Sequence, residues 1–186
     1  MYIEHLIWSA ALAVLAGMVF SRYTGRDPSW IIIAVAFVPD IDLALQNLPG
    51  ITGGALPWLI NHGGFHTFLF AAMFSIGCAL IISALGIRLS DALICSVIGI
   101  SAHLFEDALI ANPAYALFWP LTAHAYGIGV MKETGNFFAI GSTGVIGVGL
   151  VLLFIAIAIR TIIEGPGWWR VFLQGGRTRP ERSTGS

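Results

Sequence analysis

The chain has 186 residues, of which 57% are apolar and only 10% are charged, and its mean hydropathy is +0.85. Water-soluble domains carry about 25% charged residues, so this composition excludes an ordinary soluble domain and indicates an integral membrane protein. The net charge of −1 and the absence of a basic stripe outside the C-terminal tail exclude nucleic acid as an expected partner.

The hydropathy pattern predicts an all-α, polytopic helical bundle with about five transmembrane helices. A spanning helix needs about 20 mostly apolar residues. Residues 3–20 are interpreted as a retained first helix, because Glu4 and His5 stand where a signal peptide would carry basic residues. The other predicted segments are 29–48, which Pro39-Asp40-Ile41-Asp42 interrupts, 67–87, 90–110 and 138–163.

The remaining stretches are not expected to span the membrane. Residues 49–64 are glycine-rich and predict a rim loop, whereas residues 115–130 are aromatic and predict a re-entrant or surface-lying segment. One membrane-embedded domain is therefore assigned to residues 1–170. Residues 171–186 are polar and arginine-rich, which predicts a disordered cytoplasmic tail.

The distribution of lysine and arginine predicts the topology, because cytoplasmic loops are enriched in both. With the N-terminus outside, all of the nine basic residues except Lys132 fall inside. The predicted protein is N-out and C-in, in the inner (cytoplasmic) membrane. The same arrangement places all five histidines toward the outer side: His5, His62, His66, His103 and His124. Histidine was not used to set the orientation, so the pattern independently predicts an ionisable site that faces the extracytoplasmic side.

Asp40 and Asp42 follow Pro39 within an apolar segment. A charge at the bilayer centre costs about 2.5–3.5 kcal/mol on insertion scales, so such residues face a cavity, pair with each other or bind a cation. No lysine or arginine is predicted at their level, and the inner half of the bundle is expected to be nearly bare of ionisable groups. Both aspartates are interpreted as metal ligands and candidate general bases, with a helix cap as the alternative.

His103 and Asp107 are spaced i, i+4 and therefore project from one helix face. This spacing suits two metal ligands, or a ligand and the carboxylate that orients it. Glu106, on the same helix, is a candidate for proton transfer. The alternative interpretation of the three residues is a salt bridge near the end of the helix.

His62 and His66 flank two glycines where the third helix begins, and they are predicted metal ligands, with hydrated interfacial histidines as the alternative. His5 is a further candidate ligand, and Trp119 and His124 are predicted to bind substrate at the rim. This set of nitrogen and oxygen ligands lacks thiolate and suits one or two divalent ions, zinc first, with manganese or iron as alternatives. Two ions would suit phosphoester cleavage.

The ordered motifs His5, Pro39-Asp40-Ile41-Asp42, His62-Gly63-Gly64-Phe65-His66-Thr67, His103-Leu104-Phe105-Glu106-Asp107 and Phe118-Trp119-Pro120-Leu121 cover residues 1–128. This set resembles the inner-membrane metal-dependent hydrolase family of the LexA-regulated type, which is itself distantly similar to zinc-dependent phospholipase C and related nucleases. The resemblance implies a main metal site formed by Asp40 or Asp42 with His66, His103 and Asp107. It also implies that His5 joins Asp107 at a second metal.

The chain departs from the pattern of that family in one motif. Gly63 stands where the family has an arginine, and His62 and His66 are four residues apart instead of five. A gapless alignment therefore places Asn61 at the position of the first histidine.

The functional hypothesis is a membrane-embedded metal-dependent hydrolase that cleaves a phosphoester at the outer side of the membrane. Membrane lipid would be the solvent, and the possible substrate is a lipid or a lipid-linked compound. The sequence does not indicate whether the protein has protein partners. One alternative is an ion- or proton-conducting transporter, which the bare inner half and the lack of an internal repeat disfavour. The other is a non-catalytic metal-binding membrane module.

Overall fold

The computed structural model describes residues 2–46, 63–111, 114–131 and 141–174. These residues form helices and irregular segments without a named strand, and an isolated antiparallel bridge joins Tyr115 to Tyr126. The all-α prediction is confirmed for this part of the chain. The helices in chain order are α1 (Tyr2–Thr24), α2 (Trp30–Val35), α3 (Ile41–Gln46), α4 (Phe68–Ala84), α5 (Leu89–Ile110), α6 (Thr143–Glu164) and α7 (Trp169–Leu173).

Three of the described helices, α1, α5 and α6, are long and apolar enough to cross a membrane. They correspond to the predicted segments 3–20, 90–110 and 138–163. The predicted segment 67–87 contains α4, which is apolar but only 17 residues long. The structure therefore confirms a helical membrane protein, whereas the predicted number of five spanning helices is not confirmed.

Residues 29–48 do not form one continuous helix. α2 ends at Val35, turns follow, and α3 begins at Ile41. Proline lacks a backbone N–H and clashes with the preceding turn of a helix, so Pro39 accounts for the break. The interruption that the sequence predicted is confirmed, and it leaves two six-residue helices that are each too short to span. Asp40 lies in the turn and Asp42 in the first turn of α3.

Small residues allow the helices to pack closely. α1 packs against α6 and α2, α2 packs against α5, and α4 pairs with α5. A Cβ atom on Gly99 of α5 would lie 2.6 Å from the backbone oxygen of Ile32, and one on Gly149 of α6 would lie 2.8 Å from the ring of Trp8. Close backbone approach at small residues is typical of helix interfaces in membranes. The outer faces of α4 and α6 expose apolar side chains, as lipid contact requires.

Basic residues and histidines lie at opposite ends of the bundle. The described arginines, at positions 22, 26, 88, 160 and 170, lie toward the end where α1 and α6 finish and α5 begins. His5 lies near the start of α1, and His103 lies near the end of α5. The sorting agrees with the predicted arrangement, while the side of the membrane that each end faces stays a prediction. Lys132 and residues 175–186, the greater part of the predicted tail, lie outside the described residues.

The expectation that the half opposite the histidines is nearly bare of ionisable groups is wrong. Arg160 is fully buried; its Nη2 donates to Asp27 Oδ2 at 2.7 Å and its Nε donates to Glu164 Oε2 at 2.8 Å. Its Nη1 donates to the backbone oxygen of Val14 at 3.2 Å, and its guanidinium carbon lies 4.5 Å from the centre of the Trp168 ring. The sequence pattern counted Arg160 only as a cytoplasmic charge and gave no sign of its contacts with Asp27 and Val14, which lie more than 130 positions away along the chain.

Candidate metal centre

Four separate chain segments bring ionisable side chains to one end of the bundle. His5 comes from α1, Asp40 from the turn before α3, and His103 and Asp107 from α5. His66 precedes Thr67, whose side chain accepts a hydrogen bond from the backbone N–H of Phe70 and thereby caps the first turn of α4. All of these ionisable side chains are buried except Asp107, which is partly exposed.

His66 and His103 lie close to each other and to two carboxylates. The two Nε2 atoms are 3.2 Å apart. His66 Nε2 lies 3.4 Å from Asp40 Oδ1 and 3.3 Å from Asp107 Oδ2. His103 Nε2 lies 3.6 Å and 3.4 Å from the same two oxygens. Ligands bound tetrahedrally at zinc–ligand distances of about 2.0–2.1 Å would be separated by about 3.3–3.4 Å, and these five distances are close to that separation.

His5 approaches the remaining oxygens of the same two carboxylates. Its Nε2 atom lies 4.0 Å from Asp40 Oδ2 and 3.7 Å from Asp107 Oδ1. Two groups of side chains are therefore compact enough to hold an ion: Asp40, His66 and His103 form one, and His5, His103 and Asp107 form the other. Each carboxylate directs one oxygen toward the His66–His103 pair and the other toward His5. The two groups have His103 in common.

Hydrogen bonds fix which ring nitrogen faces the cluster. His103 Nδ1 donates to the backbone oxygen of Ala36 at 2.8 Å, and this oxygen can only accept. His5 Nδ1 lies 2.9 Å from Glu106 Oε2, so a carboxylate there accepts a hydrogen bond from the Nδ1–H. Both imidazoles consequently present an Nε2 lone pair to the carboxylates. Metal-binding histidines are typically oriented in this way by a carbonyl or a carboxylate on the other nitrogen.

Asp42 lies behind His66 and belongs to neither of the two groups. Its Oδ2 atom accepts the backbone N–H of Gly63 at 2.9 Å and lies 4.0 Å from His66 Nδ1. The structure thus places Asp40, and not Asp42, at the carboxylate position that the sequence left open between them. Glu106, the other proposed proton carrier, lies against His5.

Buried carboxylate oxygens in the cluster lack hydrogen-bond partners. Asp40 Oδ2, Asp107 Oδ2 and Glu106 Oε1 have no such partner within the described ranges. Among the described residues, the ion pairs between arginine and a carboxylate all lie at the other end of the bundle. Their acidic partners are Asp91, Asp27 and Glu164. An uncompensated buried charge is strongly unfavourable. A cation bound among these oxygens would supply the missing partner, so the donor set fits a divalent metal.

The predicted substrate residues lie on a neighbouring segment. The Trp119 ring stacks on Phe70 with the ring centres 6.4 Å apart, and the peptide bond from Trp119 to Pro120 is cis. His124 is exposed and packs edge-on against Tyr126. The structure does not bring these two side chains into either metal-sized group, and their predicted role in binding substrate stays a prediction. His62 and Asn61 lie outside the described residues, and so does most of the rim loop.

Two further contacts at the cluster were not predicted. The Tyr115 ring lies 4.2 Å from the His66 ring. Gly63 has a φ of 98°, and a Cβ atom there would lie 2.8 Å from Tyr115, so both its backbone conformation and its space require glycine. Glu4 is buried, and its Oε2 accepts the N–H of Ser142, the N-cap residue of α6, at 2.8 Å. The unusual acidic residue beside His5 was the one sequence signal for this contact.

The fold and the cluster together define a helical membrane protein with a buried His–Asp centre built from four chain segments. The sequence profile of the YdjM inner membrane protein family matches residues 1–167, and the chain therefore belongs to this family. No curated protein and no solved structure matches the chain. The matched range contains every residue of the cluster, and the membership agrees with the apolar helices in placing the protein in a membrane.

Proposed function

We propose that the protein is a membrane-embedded metal-dependent hydrolase that cleaves a phosphoester. The observation that supports this most directly is that Asp40 and Asp107 each have one oxygen near His66 and the other near His5. Divalent ions bound there, zinc first and manganese or iron as alternatives, would polarise a phosphoryl oxygen and activate the attacking water. The resemblance in motif order to metal-dependent membrane hydrolases favours the same chemistry.

The protein side chains divide into two sets of ligands. Asp40, His66, His103 and Asp107 would complete a tetrahedral site with one oxygen from each carboxylate. His5 would hold a second ion with the other two oxygens. Three protein ligands leave a coordination position for substrate or water, as catalytic sites require. The second set is therefore the proposed place of reaction.

The surrounding groups orient the ligands and provide for proton transfer. The backbone oxygen of Ala36 and the carboxylate of Glu106 hold the imidazoles of His103 and His5 with Nε2 toward the shared carboxylates. Glu106 Oε1 is buried without a hydrogen-bond partner among the described residues and is the proposed proton acceptor. The imidazole of His66 separates Asp42 from the shared carboxylates, so Asp42 is assigned a positioning role there.

A proton- or ion-conducting protein is the principal alternative. The buried group around Arg160 gives this alternative more weight than the sequence did, because ionisable residues lie at both ends of the bundle. Arg160, however, is bound by two carboxylates and a backbone oxygen, as expected for a structural ion pair. The compact sharing of ligands at the other end favours the hydrolase.

Removal of metal tests the proposal. The purified protein in lipid nanodiscs is expected to hydrolyse a soluble chromogenic phosphodiester, to lose this activity after dialysis against a chelator and to regain it when zinc or manganese is added. Bound metal is measured in each sample, and a chelator saturated with calcium serves as the control. Hydrolysis that survives complete removal of the metal, or a metal-loaded protein without phosphoesterase activity, would refute the proposal.

Replacing His5 with alanine is expected to reduce the metal content from two ions to one, because His5 belongs to the second group of side chains and not to the first. Elemental analysis of the purified variant measures this stoichiometry. His124→Ala is the matched control, since its imidazole is exposed on a different segment. Two tightly bound ions in the His5 variant would contradict the two-site arrangement.

A further inference from the structure

A buried glutamate, Glu4, lies in the first turn of α1 immediately before the proposed ligand His5. It belongs to neither of the two groups of side chains that are compact enough to hold an ion. A buried carboxylate is unfavourable unless hydrogen bonds compensate it. Its Oε2 atom accepts the backbone N–H of Ser142 at 2.8 Å. Glu4 therefore links the turn that carries His5 to the start of α6.

Glu4 supplies a cap that the sequence of α6 does not contain. The first N–H groups of a helix have no partner within the helix. In a capping box, glutamate or glutamine at the third helical position accepts the N–H of the N-cap residue. The N-cap of α6 is Ser142 and its third helical residue is Val145, whose side chain cannot accept. The carboxylate of Glu4 accepts this N–H from another helix, where the partial positive charge of the N-terminus of α6 favours it.

Two faces of α1 contact different helices at this level. Glu4 and Trp8 are spaced i, i+4 on one face, and Trp8 Nε1 donates to a backbone oxygen of α6 at 3.3 Å. His5 is rotated from Glu4 by about 100° around the helix axis. Its Nδ1 lies 2.9 Å from Glu106 Oε2 of α5, and its ring stacks on His103 with the ring centres 3.9 Å apart. One turn of α1 thus joins α6 to the metal centre.

We propose that Glu4 is a positioning residue of the metal centre, whose cap on α6 fixes the first turn of α1 so that His5 reaches the second ion. His5 Nε2 lies 4.0 Å from Asp40 Oδ2 and 3.7 Å from Asp107 Oδ1, so a small shift of this turn would take the imidazole out of reach of an ion held there. The other group of ligands takes no residue from α1. This inference rests on the two sets of ligands in the proposed function, and not on the reaction assigned to them.

Removal of the carboxylate is expected to weaken the second ion selectively. In Glu4→Ala the affinity for the second ion should fall about tenfold or more, as it does when other outer-shell partners are lost, while the first ion keeps its wild-type affinity. Glu4→Gln keeps an oxygen that can accept the N–H of Ser142, so it should bind the second ion nearly as tightly as the wild type does. Manganese is titrated into the metal-free protein in nanodiscs, and the electron paramagnetic resonance signal of the free ion measures binding.

An added methyl group tests the same contact without changing Glu4. A Cβ atom on Gly141 would lie 2.9 Å from Glu4 Oε2, so Gly141→Ala is expected to displace the carboxylate and to weaken the second ion as Glu4→Ala does. Gly147→Ala in α6 is the matched control, because outside its own stretch of helix a Cβ atom there would meet no described residue within 4 Å. Far-UV circular dichroism and gel filtration show which variants are folded. If Glu4→Ala does not fold, Gly141→Ala decides between the outcomes.

The outcomes separate this inference from the proposed function. Wild-type affinity for the second ion in Glu4→Ala and Gly141→Ala would overturn the positioning role, and so would an equal loss of both ions or a failure of Glu4→Gln to restore binding. A wild type that binds fewer than two ions would overturn it as well. Selective loss of the second ion in a protein whose metal-loaded wild type hydrolyses no phosphodiester would support the positioning role and refute the proposed reaction.

Discussion

Replacing His103 with alanine is expected to reduce the affinity of the protein for metal by more than about 100-fold, beyond the effect of losing an outer-shell partner. His103 belongs to both of the groups that are compact enough to hold an ion. Its Nε2 lies within 3.2–3.6 Å of His66, Asp40 and Asp107. Removal of this one imidazole therefore takes away one of the four proposed ligands. The facing carboxylates of Asp40 and Asp107 also lose a neighbouring imidazole. Elemental analysis after dialysis measures the loss.

The test of His103 needs a control for folding. Far-UV circular dichroism and gel filtration should show that His103→Ala keeps the helical content and size of the wild type. Asp107→Ala is expected to reproduce the loss of metal, because its two oxygens face His5 and His66. His124→Ala should retain the wild-type metal content. Equal metal content in the wild type, His103→Ala and Asp107→Ala would show that the ligands are assigned wrongly.

Replacing Arg160 with alanine is expected to destabilise the protein by about 3–5 kcal/mol, as the loss of one partner from a buried ion pair does. The substitution would leave Asp27 as a buried carboxylate without its guanidinium, and Glu164 would lose a hydrogen bond. The variant would also lose the contact with Trp168 that links α6 to the chain that follows it. Reversible unfolding in mixed micelles measures the difference in free energy.

Two comparisons identify the origin of this destabilisation. Arg88→Ala removes an exposed arginine and is expected to change stability by less than about 0.5 kcal/mol. Combining Asp27→Asn with Arg160→Met removes both charges and should recover part of the loss. If Arg160→Ala were no less stable than Arg88→Ala, the buried ion pair would have no structural role.

The part of the fold that could be predicted follows from hydropathy and proline chemistry. Apolar runs of membrane length predicted α1, α5 and α6, and Pro39 predicted the break between α2 and α3. The length of α4 could not be predicted, because its apolar run continues through Leu85 to Ile87 while the helix ends at Ala84. The turn at Gly86, which has a φ of 91°, separates the end of the helix from the end of the apolar run.

The part of the centre that could be predicted is the pair on one helix. The i, i+4 spacing places His103 and Asp107 together without knowledge of the fold. The contact between His5 and Glu106 joins residues 101 positions apart, and the spacing of neither residue indicates it. The predicted topology placed His5 at the same end as the other histidines, and the resemblance in motif order placed it at a second metal with Asp107. The choice between Asp40 and Asp42 depended on the turn after Pro39, which places one beside the imidazoles and the other behind His66.

The contacts of Arg160 and Tyr115 were not predicted from the sequence, and the physical reason is the same for both. The partnership of Arg160 with Asp27 spans 133 positions, and a rule that assigns charged residues to a side of the membrane treats arginine as solvated. Tyr115 belongs to an irregular segment whose path is set by hydrogen bonds to α4 and α5. Neither contact leaves a periodic trace in the sequence, so both required coordinates.

X-ray absorption spectroscopy at the metal edge of the zinc-loaded wild type tests the shared centre most directly. The expected spectrum contains only nitrogen and oxygen ligands at about 2.0–2.1 Å, with the multiple scattering of imidazole. A second metal at about 3.5–4 Å is expected, because Asp40 and Asp107 each place one oxygen near His66 and the other near His5. A sulfur ligand at about 2.3 Å, or a spectrum without imidazole, would contradict the centre formed by His5, His66 and His103.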